Sequence, residues 1–213
     1  HGQGQRDFCS NRKMINPVEL PGFVLSLAMV YCNIKEIHWG WPLAILSSLL
    51  YGSVFWNEQL YGEACLQIMF VLTAAWGWQQ WLIGSASAPI GTDADLSPAP
   101  LAKAKLDVSG LQASERRVAF IATLLAWPSF SFFLHRYTDS DVAVWDGLVT
   151  ALSLLGQYLL GRKKIETWWV WMLVNVLTVG LMVEKSLWLT AVLYGIFAVL
   201  SYIGLQAWRR HEQ

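Results

Sequence analysis

Seven stretches of this chain, residues 18–34, 39–56, 62–82, 117–135, 142–161, 166–184 and 186–207, carry almost no charge. Each has about the 17–25 residues a helix needs to cross a hydrocarbon core of about 30 Å. A segment in lipid must pair its own backbone polar groups, so such runs predict helices and an all-α membrane protein with seven transmembrane passes. The charges that do occur, Glu19, Glu63, Asp146, Glu166 and Glu184, sit near the ends of the runs. Charged residues make up only 14% of the chain, against about 25% in soluble domains. Fifteen Lys and Arg balance fifteen Asp and Glu without a basic stripe, which argues against nucleic acid as a partner. Trp39, Trp56, Trp81, Trp145, Trp188 and Trp208 lie at span ends, where belt anchoring at the lipid–water boundary is the expected role.

The chain divides unevenly. Residues 1–17 read as an N-terminal tail, and no secretory signal pattern precedes the first span. Residues 83–116, rich in Pro, Ser, Ala and charges, read as a polar cytoplasmic linker, with room for a short amphipathic helix around Ala102–Val108. The N-terminal side of the bilayer would carry five Lys and Arg: Arg6, Arg12, Lys13, Arg136 and Lys185. The opposite side would carry the other ten of the fifteen. By the positive-inside rule the N-terminus is expected outside and the C-terminus in the cytoplasm of a bacterial cell, with the inner membrane as the location.

A self-match constrains the fold further. Shifted by 127 residues, 18–81 align with 145–208 without a gap, with 14 identities in 64 positions. Leu25-Ser26-Leu27 falls on Leu152-Ser153-Leu154, Trp41 on Trp168, and Gly77-x-Gln79-x-Trp81 on Gly204-x-Gln206-x-Trp208. The first three-helix repeat, 18–82, thus maps onto a second, 142–208. Three crossings end on the side opposite the start, so one further crossing, 117–135, is needed as a linker helix. The expected arrangement is two parallel three-helix repeats in a 3+1+3 order, as in transporters that bind substrate near the midplane between repeats. A scaffold built by duplication is the alternative reading of the same repeat.

Several chemistries have no motif here. No phosphate-cradling G-x-x-x-x-G-K-[ST], no H-E-x-x-H and no G-x-S-x-G occurs. Cys9, Cys32 and Cys65 form no C-x-x-C, and the four His share no ligand spacing, so neither metal nor cofactor is expected. No Asp, Glu, Lys, Arg or His lies deep in a span, which argues against proton coupling through a buried carboxylate and against a strongly charged substrate. Gln79, Gln80 and Gln157 lie near span ends, where interfacial solvation accounts for them. Asn175 at the centre of the sixth span and Gln67 in the third must pair across helices or face a cavity. Trp168, Trp171 and Asn175 follow at spacings of three and four, so they share one helix face. That face either packs on a neighbour or offers indoles and an amide to a flat polar ring.

Trp168-x-x-Trp171-x-x-x-Asn175 resembles the signature of bacterial nicotinamide riboside transporters, the PnuC family. Residues 60–81, LYGEACLQIMFVLTAAWGWQQW, resemble that family's third helix in the Leu-Tyr-Gly start, the Gln and the Gly-Trp-x-x-Trp ending. The resemblance covers nearly all of residues 18–208 and implies kinship with SWEET and SemiSWEET transporters. It further implies no enzyme activity, facilitated diffusion of nicotinamide riboside, trapping by a separate intracellular kinase, and a homotrimer. Thiamine and riboflavin are carried by related proteins and remain alternatives, as does a non-transporting membrane subunit. The 127-residue shift makes Ser48 the counterpart of Asn175 and Tyr194 that of Gln67. These four polar residues, with Trp168 and Trp171 as apolar walls, are the expected substrate site between the repeats. Trp171 corresponds to Ala44, so that site is expected to be lopsided.

Overall fold

Every uncharged run folds as a helix. The computed structural model describes residues 19–57, 61–83, 107–138, 142–184 and 188–212. Within them lie α1 (Glu19–Ile34), α2 (Gly40–Asn57), α3 (Tyr61–Ile83), α4 (Ala113–Tyr137), α5 (Ala143–Gly161), α6 (Thr167–Glu184) and α7 (Trp188–Glu212). Of these, α4 to α7 are long and apolar enough to cross a membrane. Consecutive helices pack together within α1–α2–α3 and within α5–α6–α7, and α4 packs chiefly on α5. The two groups meet where α3 touches α5 and α1 touches α7. Helix α4 is the least buried of the four and exposes Phe120, Leu125 and Phe132, an apolar face suited to lipid and not to water.

Helix ends differ from the sequence expectation where side chains extend them. Helix α4 begins at Ala113, four residues before Arg117, because the Gln112 N–H donates to Glu115 Oε2 at 3.0 Å. This satisfies one of the donors a helix start leaves free. The end of the polar linker is tied down. Ser109 N–H donates to Lys163 O and Ile165 N–H donates to Ser109 O, each at 3.1 Å. Leu111 N–H donates to both oxygens of Glu166, at 2.9 and 3.0 Å. Asp107 and Val108 are not helical. The rest of the short helix expected around them, and the tail 1–17, lie outside the described residues.

The core between the two groups is built from tryptophan. Trp41 meets Trp81 edge-on, centroids 5.6 Å apart at 83°. Their counterparts 127 residues on, Trp168 and Trp208, meet edge-on at 5.4 Å and 90°. Trp81 and Trp208 then approach each other at 6.4 Å. Edge-to-face pairs at these spacings are favourable beyond the area they bury. Each inner ring needs a glycine opposite. A Cβ on Gly77 would overlap the Trp41 ring, and one on Gly204 would overlap Trp168. The Gly-x-Gln-x-Trp pattern therefore encodes a packing unit used twice: glycine admits one indole and tryptophan meets its edge.

This corrects the belt assignment of two tryptophans. Trp208 is fully buried, and Trp81 is half-buried with its Nε1–H donated to Leu160 O at 3.0 Å. Both sit at span ends in sequence, but they face inward: Trp81 bonds Leu160 near the end of α5, and Trp208 meets Trp168 near the start of α6. Trp39 and Trp56 are 60% and 62% exposed, as belt residues must be. The side chain of Trp188 lies outside the described residues.

Candidate functional site

A cavity of about 350 Å³ lies between the two helix groups, within the range of about 300–1,000 Å³ usual for small-molecule sites. All six residues singled out from sequence line it: Ser48 on α2, Gln67 on α3, Trp168, Trp171 and Asn175 on α6, and Tyr194 on α7. They do not contribute equally. Trp168 is 3% exposed, its ring held by Gly204 and Trp208, so it belongs mainly to the core beneath the cavity. Trp171 is half-buried and packs against α5, where a Cβ at Gly156 would stand 3.0 Å from its Cε2.

The lopsidedness expected from Trp171 and Ala44 has a compensating partner. Gly156 and Trp171 in the second group correspond to Met29 and Ala44 in the first. All but Gly156 line the cavity. One side thus combines a bare backbone with an indole, the other a flexible thioether with a methyl. The exchange places the one broad flat surface on the α6 side.

Asn175 is 6% exposed, and its Nδ2 donates to Ser201 Oγ on α7 at 3.3 Å. The Ser201 hydroxyl is itself donated to Phe197 O at 2.8 Å, so its oxygen can only accept from Asn175. The expectation that this amide either pairs across helices or faces a cavity resolves into both. Thr178, one turn along α6, spends its hydroxyl on Val174 O at 2.9 Å.

Sequence reasoning missed part of the wall. Gln157, read as interfacial, lines the cavity, as do Ser26, Asn33, Ser153 and Ser201. The sequence held a signal for some of them. Ser26, Val30 and Asn33 recur at helical spacing on α1, and Ser153 and Gln157 do so on α5. Ser26 and Ser153 are also identical under the 127-residue shift. Among the described residues, those that line the cavity are all neutral.

A larger groove of about 600 Å³ runs between α4 and α5. Its walls are mostly apolar, with Glu115, Arg162 and Lys164 at one end, and none of the six residues reaches it. Lys164 Nζ there lies 3.2 Å from Glu115 Oε2, so these charges are largely engaged with each other. The inner cavity has more convergent polar groups and is the better candidate for a polar ligand.

Comparison with known proteins gives the family of the chain. The family described as "Nicotinamide mononucleotide transporter" matches residues 16–210. The riboflavin/roseoflavin transporter RibM of Streptomyces davaonensis is 23% identical over 191 residues, covering 89% of this chain and 83% of that protein. The nicotinamide riboside transporter PnuC of Escherichia coli is 21% identical over 207 residues, covering 90% and 84%. A crystal structure of the vitamin B3 transporter PnuC superposes with a TM-score of 0.64 at 20% identity, covering 90% of this chain and 81% of that one. These relatives are transporters and not enzymes. With nearly its whole length matched, the chain belongs to this family of membrane transporters, the PnuC family.

Proposed function

We propose that the protein carries nicotinamide riboside across a bacterial inner membrane by facilitated diffusion. The observation that carries this reading is the neutral cavity on which Gln67, Ser48, Asn175 and Tyr194 converge beside the Trp171 indole. A nicotinamide ring presents a flat face for stacking and a carboxamide that both donates and accepts. The ribose presents hydroxyls with the same double capacity. Amides and hydroxyls match these groups without any net charge. In this reading Trp171 stacks the ring, Trp168 closes the floor, Asn175 meets the carboxamide, and Gln67 meets ribose or carboxamide. Ser48 and Tyr194 complete the ring of partners.

The printed names of the relatives carry different ligands: a mononucleotide for the family, a riboside for one protein, riboflavin and roseoflavin for another. A phosphate would need Arg, Lys or helix N-termini at the site. The described cavity walls offer no charged side chain, which favours the free riboside over the mononucleotide. Riboflavin is the second reading, favoured by the likeness to RibM.

The mode of transport follows from the same neutrality. Proton coupling through the membrane interior usually runs through a carboxylate, imidazole or basic group, and the spans hold no Asp, Glu, Lys, Arg or His near their centres. Accumulation in the cell then depends on phosphorylation by a separate kinase. The architecture in this proposal is two parallel repeats, 18–82 and 142–208, joined by linker 83–116 and linker helix 117–135. It is supported by the twin Trp–Trp–Gly units 127 residues apart. Seven crossings with the N-terminus outside, a cytoplasmic C-terminus and a homotrimeric assembly complete it.

Uptake into liposomes, with no kinase present, tests this function. Labelled nicotinamide riboside should equilibrate and not concentrate, with or without an imposed proton or sodium gradient. Concentration under a gradient would contradict uniport. Uptake of riboflavin without uptake of the riboside would favour the second reading.

A further inference from the structure

We infer that Glu36 and Lys163 form a gate that closes the cavity at the end where α1 turns into α2 and α5 into α6. The two residues are counterparts under the 127-residue shift. Each stands two positions beyond its helix, after Ile34 in α1 and after Gly161 in α5. Each takes a left-handed backbone, φ 54° for Glu36 and 49° for Lys163, and among the described residues no other non-glycine residue has a positive φ. That conformation is unfavourable for a residue with a Cβ. It occurs in both turns and brings the two side chains together, Lys163 Nζ to Glu36 Oε2 at 2.6 Å. The duplicated turn has thus diverged to opposite charges that meet each other.

The surroundings connect this pair to the cavity. Asn33 and Leu160, three residues before the two partners, line its wall, and Trp168 follows Lys163 by five residues. The ammonium group lies 4.8 Å from the centre of the Trp81 ring. That ring donates its N–H to Leu160 O, a second link between the helix groups at the same end. Side-chain exposure is 5% for Lys163 and 18% for Glu36. For a ligand to leave by this end, the α1–α2 and α5–α6 turns must part.

An ion pair suits a contact that is repeatedly made and broken. Held dry, it resists separation, because removing one partner leaves an uncompensated buried charge. Once water enters, the separated charges are solvated and the pair is worth little. An apolar seal of the same size would instead expose its surface to water at each opening. The Ser109 N–H bond to Lys163 O steadies the Lys163 turn from outside.

The gate rests on the transport reading, but its test needs no substrate, so failure of the riboside assignment would leave the result interpretable. Ser153, buried on the cavity wall, is replaced by Cys in a protein whose Cys9, Cys32 and Cys65 are Ala. The rate of reaction with N-ethylmaleimide is measured in the parent, in Glu36→Gln, in Lys163→Gln, and in the exchanged pair Glu36→Lys/Lys163→Glu. Each single variant should react roughly tenfold faster or more, and the exchanged pair should return most of the way to the parent rate. Single variants reacting at the parent rate would overturn the proposal, as would an exchanged pair that reacts as fast as they do. Single variants that lose their monodisperse folded form, with the exchanged pair restoring it, would make the pair a structural tie and would equally overturn it.

Discussion

Asn175 on α6 donates its side-chain N–H to the Ser201 hydroxyl on α7 at 3.3 Å, and both residues are buried on the cavity wall. Because Ser201 gives its own proton to Phe197 O, the orientation of the amide is fixed. One N–H of Asn175 is committed to α7, and its remaining donor and acceptor capacity is what a ligand can use.

Replacing Asn175 or Gln67 should therefore reduce affinity without harming the fold. Asn175→Leu and Gln67→Leu each remove a partner for a neutral ligand in a dry site, at about 1–3 kcal/mol. Affinity for nicotinamide riboside should fall roughly tenfold to hundredfold, with elution volume unchanged. Titration of the purified variants checks this. Retained binding in both variants would remove these residues from the site.

The twin tryptophan–glycine contacts make a prediction about stability. Gly77→Ala and Gly204→Ala each place a Cβ inside an indole ring, which should cost about 1–3 kcal/mol as overpacking. Gly180→Ala and Gly195→Ala place it in open space and should be neutral or stabilising by up to about 1 kcal/mol, as alanine favours a helix. Thermal unfolding in one detergent compares the four. Equal melting temperatures across the set would contradict the packing described.

Belt and core tryptophans should respond differently. Trp208→Ala empties a fully buried position and should cost about 3–5 kcal/mol. Trp56→Phe, at a residue 62% exposed, should stay within about 0.5 kcal/mol and leave riboside binding intact. The same unfolding measurement reads both. A larger loss for the belt variant would reverse the assignment.

Orientation can be read directly. A reporter that is active only in the cytoplasm, fused after Gln213, should be active, as the positive-inside rule predicts from ten Lys and Arg against five in the proposed seven-pass arrangement. Activity only in a periplasmic reporter would overturn the orientation and the parallel-repeat argument with it.

The helices and the site were legible in the sequence for different reasons. Uncharged runs fixed where helices lie, because lipid leaves the backbone no alternative. They could not mark ends such as Ala113, which depends on the Gln112–Glu115 contact. The repeat pairs Ser48 with Asn175 and Gln67 with Tyr194, and all four line one cavity. It could not tell that Trp81 and Trp208 turn inward, since position along a span says nothing about which face is covered. Gln157 was obscured in the same way: nearness to a span end suggested solvent, while its α5 face opens on the cavity. The Glu36–Lys163 pair was least legible, because opposite charges at equivalent positions become partners only when both turns adopt the left-handed backbone.

A cavity whose described walls are neutral suits a free riboside and, among those residues, offers no charged side chain to hold a phosphate. Calorimetric titration of the purified protein with nicotinamide riboside, nicotinamide mononucleotide and riboflavin measures this in one series. The riboside should bind saturably, with the mononucleotide at least roughly tenfold weaker, a gap of about 1.4 kcal/mol. Mononucleotide binding as tight as that of the riboside, or tighter, would contradict it.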